Sequence, residues 1–100
     1  MPPPLVQVKF EELRAFQLVA ETGSYADAAR VLGRDASIIS RRISSLEAAL
    51  GVVLVSRSPR NISLTQAGAA YLPKVVTILD DLDRANRELT RAWSGLGLSA

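Results

Sequence analysis

The apolar positions in the first quarter of the chain repeat at helical spacing. They are three or four residues apart: Phe10, Leu13, Phe16 and Ala20. This spacing predicts an amphipathic helix over about 10–22. Gly23 follows directly, where glycine suits the left-handed residue that ends many helices. The three prolines near the start predict an extended, flexible leader over residues 1–9.

The pattern then predicts two helices separated by a tight turn. Ser24 is a favourable N-cap for the first, and Asp27 three residues later resembles the partner in a capping box. Gly33 ends this short helix, and Asp35 is expected to cap the next. The next helix has a regular apolar stripe: Ile39, Ile43, Leu46 and Leu50. Together these features form a helix-turn-helix pattern from about Ser24 to Leu50.

A β-branched run and a short alternating segment follow the helix-turn-helix. The run covers residues 52–55 and the alternating segment covers 62–64, with a polar, proline-containing turn between them. This pattern predicts a two-stranded hairpin, or wing. The expected fold class is therefore mainly α: a winged helix-turn-helix over residues 10–65, with three helices and a two-stranded β wing.

A long helix is predicted over residues 66–93, with Thr65 as its cap. One apolar seam alternates spacings of four and three: Tyr71, Val75, Ile78, Leu82, Ala85, Leu89 and Ala92. A second stripe lies beside it in the first half: Leu72, Val76 and Leu79. One stripe is expected to pack on the domain and the other on a second chain. The dimerisation candidates are Val75, Ile78, Leu82, Ala85 and Leu89. Pro73 should bend this helix.

Composition limits the class of protein. The sequence has no cysteine and no histidine, which excludes disulfides and thiolate metal sites and is consistent with a reducing cytoplasm. No apolar run reaches the ~20 residues of a membrane span, and the start does not resemble a signal peptide. The serines have no suitable base, no glycine-rich phosphate loop is present, and no acidic pair is placed to bind a metal. We therefore expect no enzyme, no metal and no cofactor in this chain.

The positive charge is concentrated in the middle of the chain. The net charge is only +2, which by itself does not indicate a nucleic-acid partner. Residues 24–64, however, contain six basic residues, all of them arginine, against three acidic residues. Arginine suits both phosphate and guanine. A solvated surface that is merely rich in arginine is the alternative explanation.

Polar side chains on the third predicted helix lie opposite its apolar stripe. Ser37, Ser40, Arg41 and Ser44 are spaced by three, one and three residues. One face of the helix is therefore small, polar and cationic, as a helix in the major groove of DNA requires. The alternative is that these serines are simply exposed, although serine is a mediocre helix former. Arg34, just before the helix, could neutralise a backbone phosphate.

Two arginines of the predicted wing have different expected contacts. Arg57 either enters the minor groove or pairs with Glu47 and so holds the wing to the helix. Arg60, at the tip of the predicted turn, is the better candidate for the minor groove.

The order and spacing of these residues resemble the N-terminal region of LysR-type transcriptional regulators, from Phe10 to about Leu89. The matching elements are Leu13 to Phe16, Gly23 to Tyr25, Ala28-Ala29, Leu32, Ser40-Arg41, Ile43, Leu46-Glu47, Leu50-Gly51, Leu54, Arg57, Leu64-Thr65 and Ala67-Gly68. The resemblance implies a winged helix-turn-helix and a dimerising linker helix that together bind an inverted repeat in a bacterial promoter. It implies base contacts from Ala36, Ser37, Ser40 and Arg41. Contacts to the DNA backbone or minor groove are expected from Ser24, Arg34, Arg42, Ser44, Arg57 and Arg60.

The resemblance also implies parts that this sequence does not contain. Residues 94–100 would be a tail towards an effector-binding domain, and a small-molecule effector would bind only there. The expected partners are double-stranded DNA and a second copy of the chain, with a higher oligomer open for a longer protein, in the bacterial cytoplasm at the nucleoid.

Two positions depart from the family pattern. Ala36 stands where the family often has glutamine, so that position offers a base only apolar contact. Val55 replaces a frequent phenylalanine, so the root of the wing is expected to pack less tightly. The change at Ala36 leaves room for a second hypothesis, in which the long helix recruits a protein partner and the domain no longer reads DNA.

Overall fold

The computed structural model describes residues 7–57 and 61–94 and confirms the predicted order of helices and strands in those residues. The elements are α1 (Phe10–Thr22), α2 (Tyr25–Leu32), α3 (Ala36–Leu50), β1 (Val55–Arg57), β2 (Ile62–Leu64) and α4 (Gln66–Ser94). The two strands form an antiparallel hairpin. The chain is therefore a winged helix-turn-helix followed by a long helix. The first six residues of the predicted leader, the wing tip with Arg60, and the tail from residue 95 onward lie outside the described residues.

Helices α1, α2 and α3 pack against one another around an apolar core. The largest fully buried side chains are Phe16, Val19, Ile39, Ile43, Leu46, Leu54 and Val75. Ala28 and Ala29 of α2 are buried too, and their small size lets α2 approach its neighbours closely. Val8 packs against this core, so the last residues of the predicted leader belong to the folded domain.

The starts of α2 and α3 differ in how they are capped. The Ser24 hydroxyl oxygen accepts a hydrogen bond from the Asp27 backbone N–H at 3.1 Å, as predicted. The Asp27 carboxylate, instead of closing a capping box, pairs with Arg30 at 3.2 Å. Asp35 occupies the N-cap position of α3, but its side chain accepts no capping hydrogen bond. The expectation of a side-chain cap there was wrong, because Asp35 is exposed and water can satisfy its carboxylate.

The first strand starts later than the β-branched run predicted. Val52 and Val53 are exposed in a loop, and side chains rather than a sheet hold the backbone that follows them. A carboxylate oxygen of Glu47 accepts hydrogen bonds from the backbone N–H groups of Leu54 at 2.7 Å and Val55 at 3.1 Å. These two N–H groups therefore bond to α3, and of residues 52–55 only Val55 belongs to the hairpin.

Thr65 joins this loop to the start of α4. Its hydroxyl accepts a hydrogen bond from the Gly68 N–H at 3.0 Å and donates one to the Val53 carbonyl at 2.7 Å. Its backbone N–H donates to the Leu54 carbonyl at 3.0 Å. The predicted cap is thus confirmed, and the same residue connects the wing to α4. Gly68 is buried here, and a Cβ at that position would clash with the Leu54 carbonyl oxygen.

The side of α4 that faces the domain takes residues from both predicted stripes. Val75 of the seam and Leu79 of the second stripe are both buried. The Tyr71 ring packs beside Phe16 of α1, with ring centroids 5.8 Å apart. The structure thereby corrects the assignment of Val75 to dimer contacts: its side chain is 0% exposed, because the chain's own core covers it.

The close packing at Gly68 predicts whether replacing it with alanine stabilises or destabilises the domain. Helix propensity alone would make Gly68→Ala stabilising by about 1 kcal/mol. The clash with the Leu54 carbonyl should instead destabilise the domain by about 1–3 kcal/mol. Urea unfolding followed by circular dichroism measures the difference. The control is Ala69→Gly at the exposed neighbouring position, which should lose about 1 kcal/mol. A Gly68→Ala variant more stable than the parent would contradict the close packing.

Candidate nucleic-acid interface

Helix α3 has one buried face and one exposed polar face. Ile39, Ile43 and Leu46 are fully buried against the other helices. On the opposite side lie Ser37, Ser40, Arg41 and Ser44, which we call the recognition face. Ser40 is half-buried, and the other three are exposed. Apart from Arg41, the residues of this face have short side chains. A surface that approaches the edges of base pairs closely needs this shape.

The turn before α3 brings two further predicted residues beside the recognition face. Gly33 adopts φ of 66°, a conformation that a side chain would strain. The Arg34 N–H then donates to the Ala29 carbonyl at 2.9 Å, which fixes the course of the turn. Arg34 and Ala36 are both exposed at the start of α3. Their backbones are therefore held in place while their side chains stay accessible.

Arg42 lies beside the recognition face, towards α1. Together with Lys9, Ser45 and Arg41 of the recognition face, it lines a shallow groove between α3 and the start of α1. The buried carboxylate of Glu12 closes this groove and accepts a hydrogen bond from the Ser45 hydroxyl at 2.7 Å. No pattern in the sequence predicts this link between α1 and α3, because the two residues are far apart in sequence and both types are usually exposed.

Arg57 contacts two helices rather than Glu47. Its guanidinium carbon lies 5.0 Å from the centroid of the Tyr25 ring, and one of its nitrogens donates to the Ser44 hydroxyl at 3.5 Å. The predicted ion pair with Glu47 is not formed, because that carboxylate binds the backbone N–H groups at the base of the wing. The structure therefore brings Arg57 to the edge of the recognition face. Tyr25 was not among the predicted site residues.

Ser24 precedes Tyr25 at the start of α2. Its hydroxyl oxygen accepts the capping hydrogen bond, which leaves the hydroxyl proton able to donate to another acceptor. Burial raises the pKa of the Tyr25 hydroxyl above its ordinary value of 10.0, and the nearby positive charge of Arg57 offsets this only in part. The phenol is therefore neutral at physiological pH.

Most arginines around the recognition face have no acidic side chain paired with them in the described residues. Arg30 pairs with Asp27, and both side chains are largely exposed. Within the described residues, none of the other arginines of this region forms an ion pair: Arg34, Arg41, Arg42 and Arg57. A surface with several unpaired guanidinium groups attracts polyanions, and guanidinium groups bind phosphate with two hydrogen bonds.

The described residues contain no grouping typical of a metal site or a membrane span. No three acidic side chains among them converge as metal ligands would, and the chain has neither histidine nor cysteine. No helix in the described part of the chain is long and apolar enough to cross a membrane.

Helix α4 exposes part of the predicted seam, from Ile78 to Leu89. Ile78 is 50% exposed, Leu82 40% and Leu89 58%, and Ala85 between them is exposed as well. Ion pairs within the helix lie elsewhere on its surface: Arg84 with Asp81 at 3.8 Å and Arg87 with Asp83 at 3.2 Å. This apolar stripe extends beyond the part of α4 that the domain core covers.

A family model of bacterial regulatory helix-turn-helix proteins of the lysR family matches residues 10–69. The regulator TcbR of Pseudomonas sp. (strain P51) is 45% identical over 88 residues, which are 88% of this chain and 30% of that protein. The regulator CrgA of Neisseria meningitidis serogroup B is 40% identical over 79 residues, 79% of this chain and 26% of that protein. The chain therefore spans less than a third of the length of these two relatives.

Two similar solved structures contain DNA. The CbnR DBD–DNA complex superimposes with a TM-score of 0.78 and 42% identity, covering 84% of this chain and 97% of that chain. The complex of the BenM DBD with benA site 1 DNA gives a TM-score of 0.80 and 30% identity, covering 87% of this chain and 98% of that chain. With residues 10–69 matched by the family model, the chain belongs to the lysR family of bacterial regulatory helix-turn-helix proteins.

Proposed function

We propose that this chain is the DNA-binding part of a transcriptional regulator, which reads a specific double-stranded sequence. The observation that carries the proposal is the recognition face: small polar side chains around Arg41, held outward by a fully buried stripe on the same helix. In the proposed complex α3 lies in the major groove and the wing lies near the minor groove. The similar CbnR and BenM structures are complexes with DNA, which supports DNA as the partner.

The proposed contacts divide into base readers and backbone contacts. Ser37, Ser40 and Arg41 read bases together with Ala36, whose methyl group offers only apolar contact, for instance to a thymine methyl. Residues around them bind phosphates or reach the minor groove: Ser24, Arg34, Ser44 and Arg57. Arg42, on the α1 side of the helix, would bind phosphate at the periphery. Arg60 remains a minor-groove candidate outside the described residues.

Arg41 is the residue whose loss should most reduce discrimination between sequences. Two hydrogen bonds to a guanine contribute about 1–3 kcal/mol of discrimination. Arg41→Ala should therefore weaken binding to a site selected from random DNA by roughly 5- to 150-fold, and should weaken binding to unrelated DNA much less. Fluorescence anisotropy with both duplexes measures the two losses. Arg87→Ala, which removes the same charge from α4, is the control. An equal loss of affinity for the two duplexes would contradict the base-reading role.

The exposed stripe on α4 supports a homodimer. Ile78, Leu82, Ala85 and Leu89 continue the heptad spacing on a side of the helix that the domain leaves exposed. Burying such a stripe against a second copy is the usual role of a heptad seam. A two-fold dimer would place two recognition faces on an inverted repeat.

Leu82 tests this dimer. Leu82→Asp puts a charge in the middle of the proposed seam and should convert the dimer to a monomer with its circular dichroism spectrum retained. Sedimentation velocity measures the mass. The control is Thr90→Asp, which adds the same charge to an exposed position outside the seam. A Leu82→Asp variant that remains dimeric, while Leu89→Asp does so as well, would place the contact elsewhere.

We propose further that small-molecule control, and any higher oligomer, depend on parts of the regulator beyond these residues. The proposed location is the bacterial cytoplasm, on the nucleoid. No catalytic role is proposed, since the relatives are named as regulators.

A protein-interaction module is the second candidate, because the exposed stripe on α4 could also bind a different protein. Salt dependence separates the two functions. If two arginines per chain of a dimer neutralise phosphates, affinity should fall by about 100-fold between 50 and 200 mM salt. A gel shift at the two salt concentrations measures this. Absence of binding to any DNA at low salt would favour the interaction module.

A further inference from the structure

Three side chains from different elements meet at the base of the wing. Arg57 ends β1, Tyr25 begins α2, and Ser44 belongs to the recognition face of α3. The Arg57 guanidinium lies over the Tyr25 ring, 5.0 Å from its centroid. The same guanidinium donates to the Ser44 hydroxyl at 3.5 Å. Within the described residues Arg57 forms no ion pair, although the Glu47 carboxylate is near enough to raise the pKa of Tyr25.

The ring of Tyr25 holds the arginine, and the guanidinium also lies near enough to the Tyr25 hydroxyl to lower its pKa. A cation within about 6 Å of an aromatic centroid is attracted by the negative face of the ring. The hydroxyl oxygen of Tyr25 is buried and has no hydrogen-bond partner among the described residues. Since burial keeps this phenol neutral by raising its pKa, no phenolate charge contributes to the attraction.

The backbone of Arg57 is also held, from the other side. Glu47 of α3 binds the N–H groups of Leu54 and Val55, and Arg57 follows two residues later, paired with Ile62 across the hairpin. The position of the arginine is therefore set at both its backbone and its guanidinium. Arginine has five N–H donors, and the hydrogen bond to Ser44 uses only one of them.

We propose that Tyr25 is a positioning residue for Arg57. It holds the guanidinium beside Ser44 in the free protein, so that the unused N–H groups face the sugar-phosphate backbone along the edge of the recognition face. The restraint lowers the entropy that the long side chain must lose when DNA binds. This inference rests on the proposed DNA-binding function, because it assigns Tyr25 a part in that same site.

Four variants test the proposal on DNA: Tyr25→Leu, Tyr25→Phe, Arg57→Ala, and the double variant Tyr25→Leu with Arg57→Ala. Tyr25→Leu should weaken binding to the selected site by about 2- to 5-fold and leave the salt slope unchanged, since no charge is lost. Tyr25→Phe keeps the ring and should restore the parent affinity. Arg57→Ala should lower the salt slope by about one per chain. In the double variant, the loss of the ring should have no further effect on affinity.

A measurement without DNA separates failure of this inference from failure of the proposed function. In the free chain, the ring current of Tyr25 should shift the NMR signals of the Arg57 side chain, and Tyr25→Leu should abolish the shift while Tyr25→Phe keeps it. If the parent binds no DNA at low salt, the proposed function fails and this inference fails with it. If the parent binds DNA but Tyr25→Leu weakens binding equally with and without Arg57, only the positioning role is overturned. Arg57 signals that do not change between the parent and Tyr25→Leu would overturn it too.

Discussion

The burial of one side of α3 orients the rest of the structure. Ile39, Ile43 and Leu46 are fully buried between α1 and α2, and each such side chain contributes about 1.5–3 kcal/mol relative to exposure. Turning the helix to expose all three would cost on the order of 5–9 kcal/mol, comparable with the whole stability of a small domain. The helix therefore has one available orientation, in which the recognition face points outward. Its polar residues need no contacts of their own to be held there.

Side chains of α3 and the start of α4 attach the wing to this framework. Glu47 binds the backbone where β1 begins, and Thr65 binds the loop before it while capping α4. Gly68 lets α4 lie directly on the Leu54 carbonyl. The wing, the recognition helix and the long helix thus share one short loop, residues 52–54.

One side of the first half of α4 packs on the domain, and the second half is exposed. Val75 and Leu79 complete the core, whereas Leu82 is 40% exposed and Leu89 58%. Heptad periodicity extends through both halves, because the spacing records only which positions are apolar. It does not record which surface covers them. The chain's own core covers Val75, and this packing between residues distant in sequence removes Val75 from the dimer candidates.

By itself the sequence determined the order and the ends of the helices, because these depend on local interactions. Helical spacing of apolar residues, the Ser24 and Thr65 caps, and glycines that can adopt positive φ all act within a few residues. The helical period likewise placed the recognition face opposite the buried stripe of α3. The tertiary structure alone decided which partners the polar groups take: the Glu47 carboxylate binds backbone rather than Arg57, Glu12 binds Ser45, and Arg57 rests on Tyr25. These contacts join residues 7 to 33 positions apart, and their geometry depends on how the helices cross. No local pattern in the sequence carries that information.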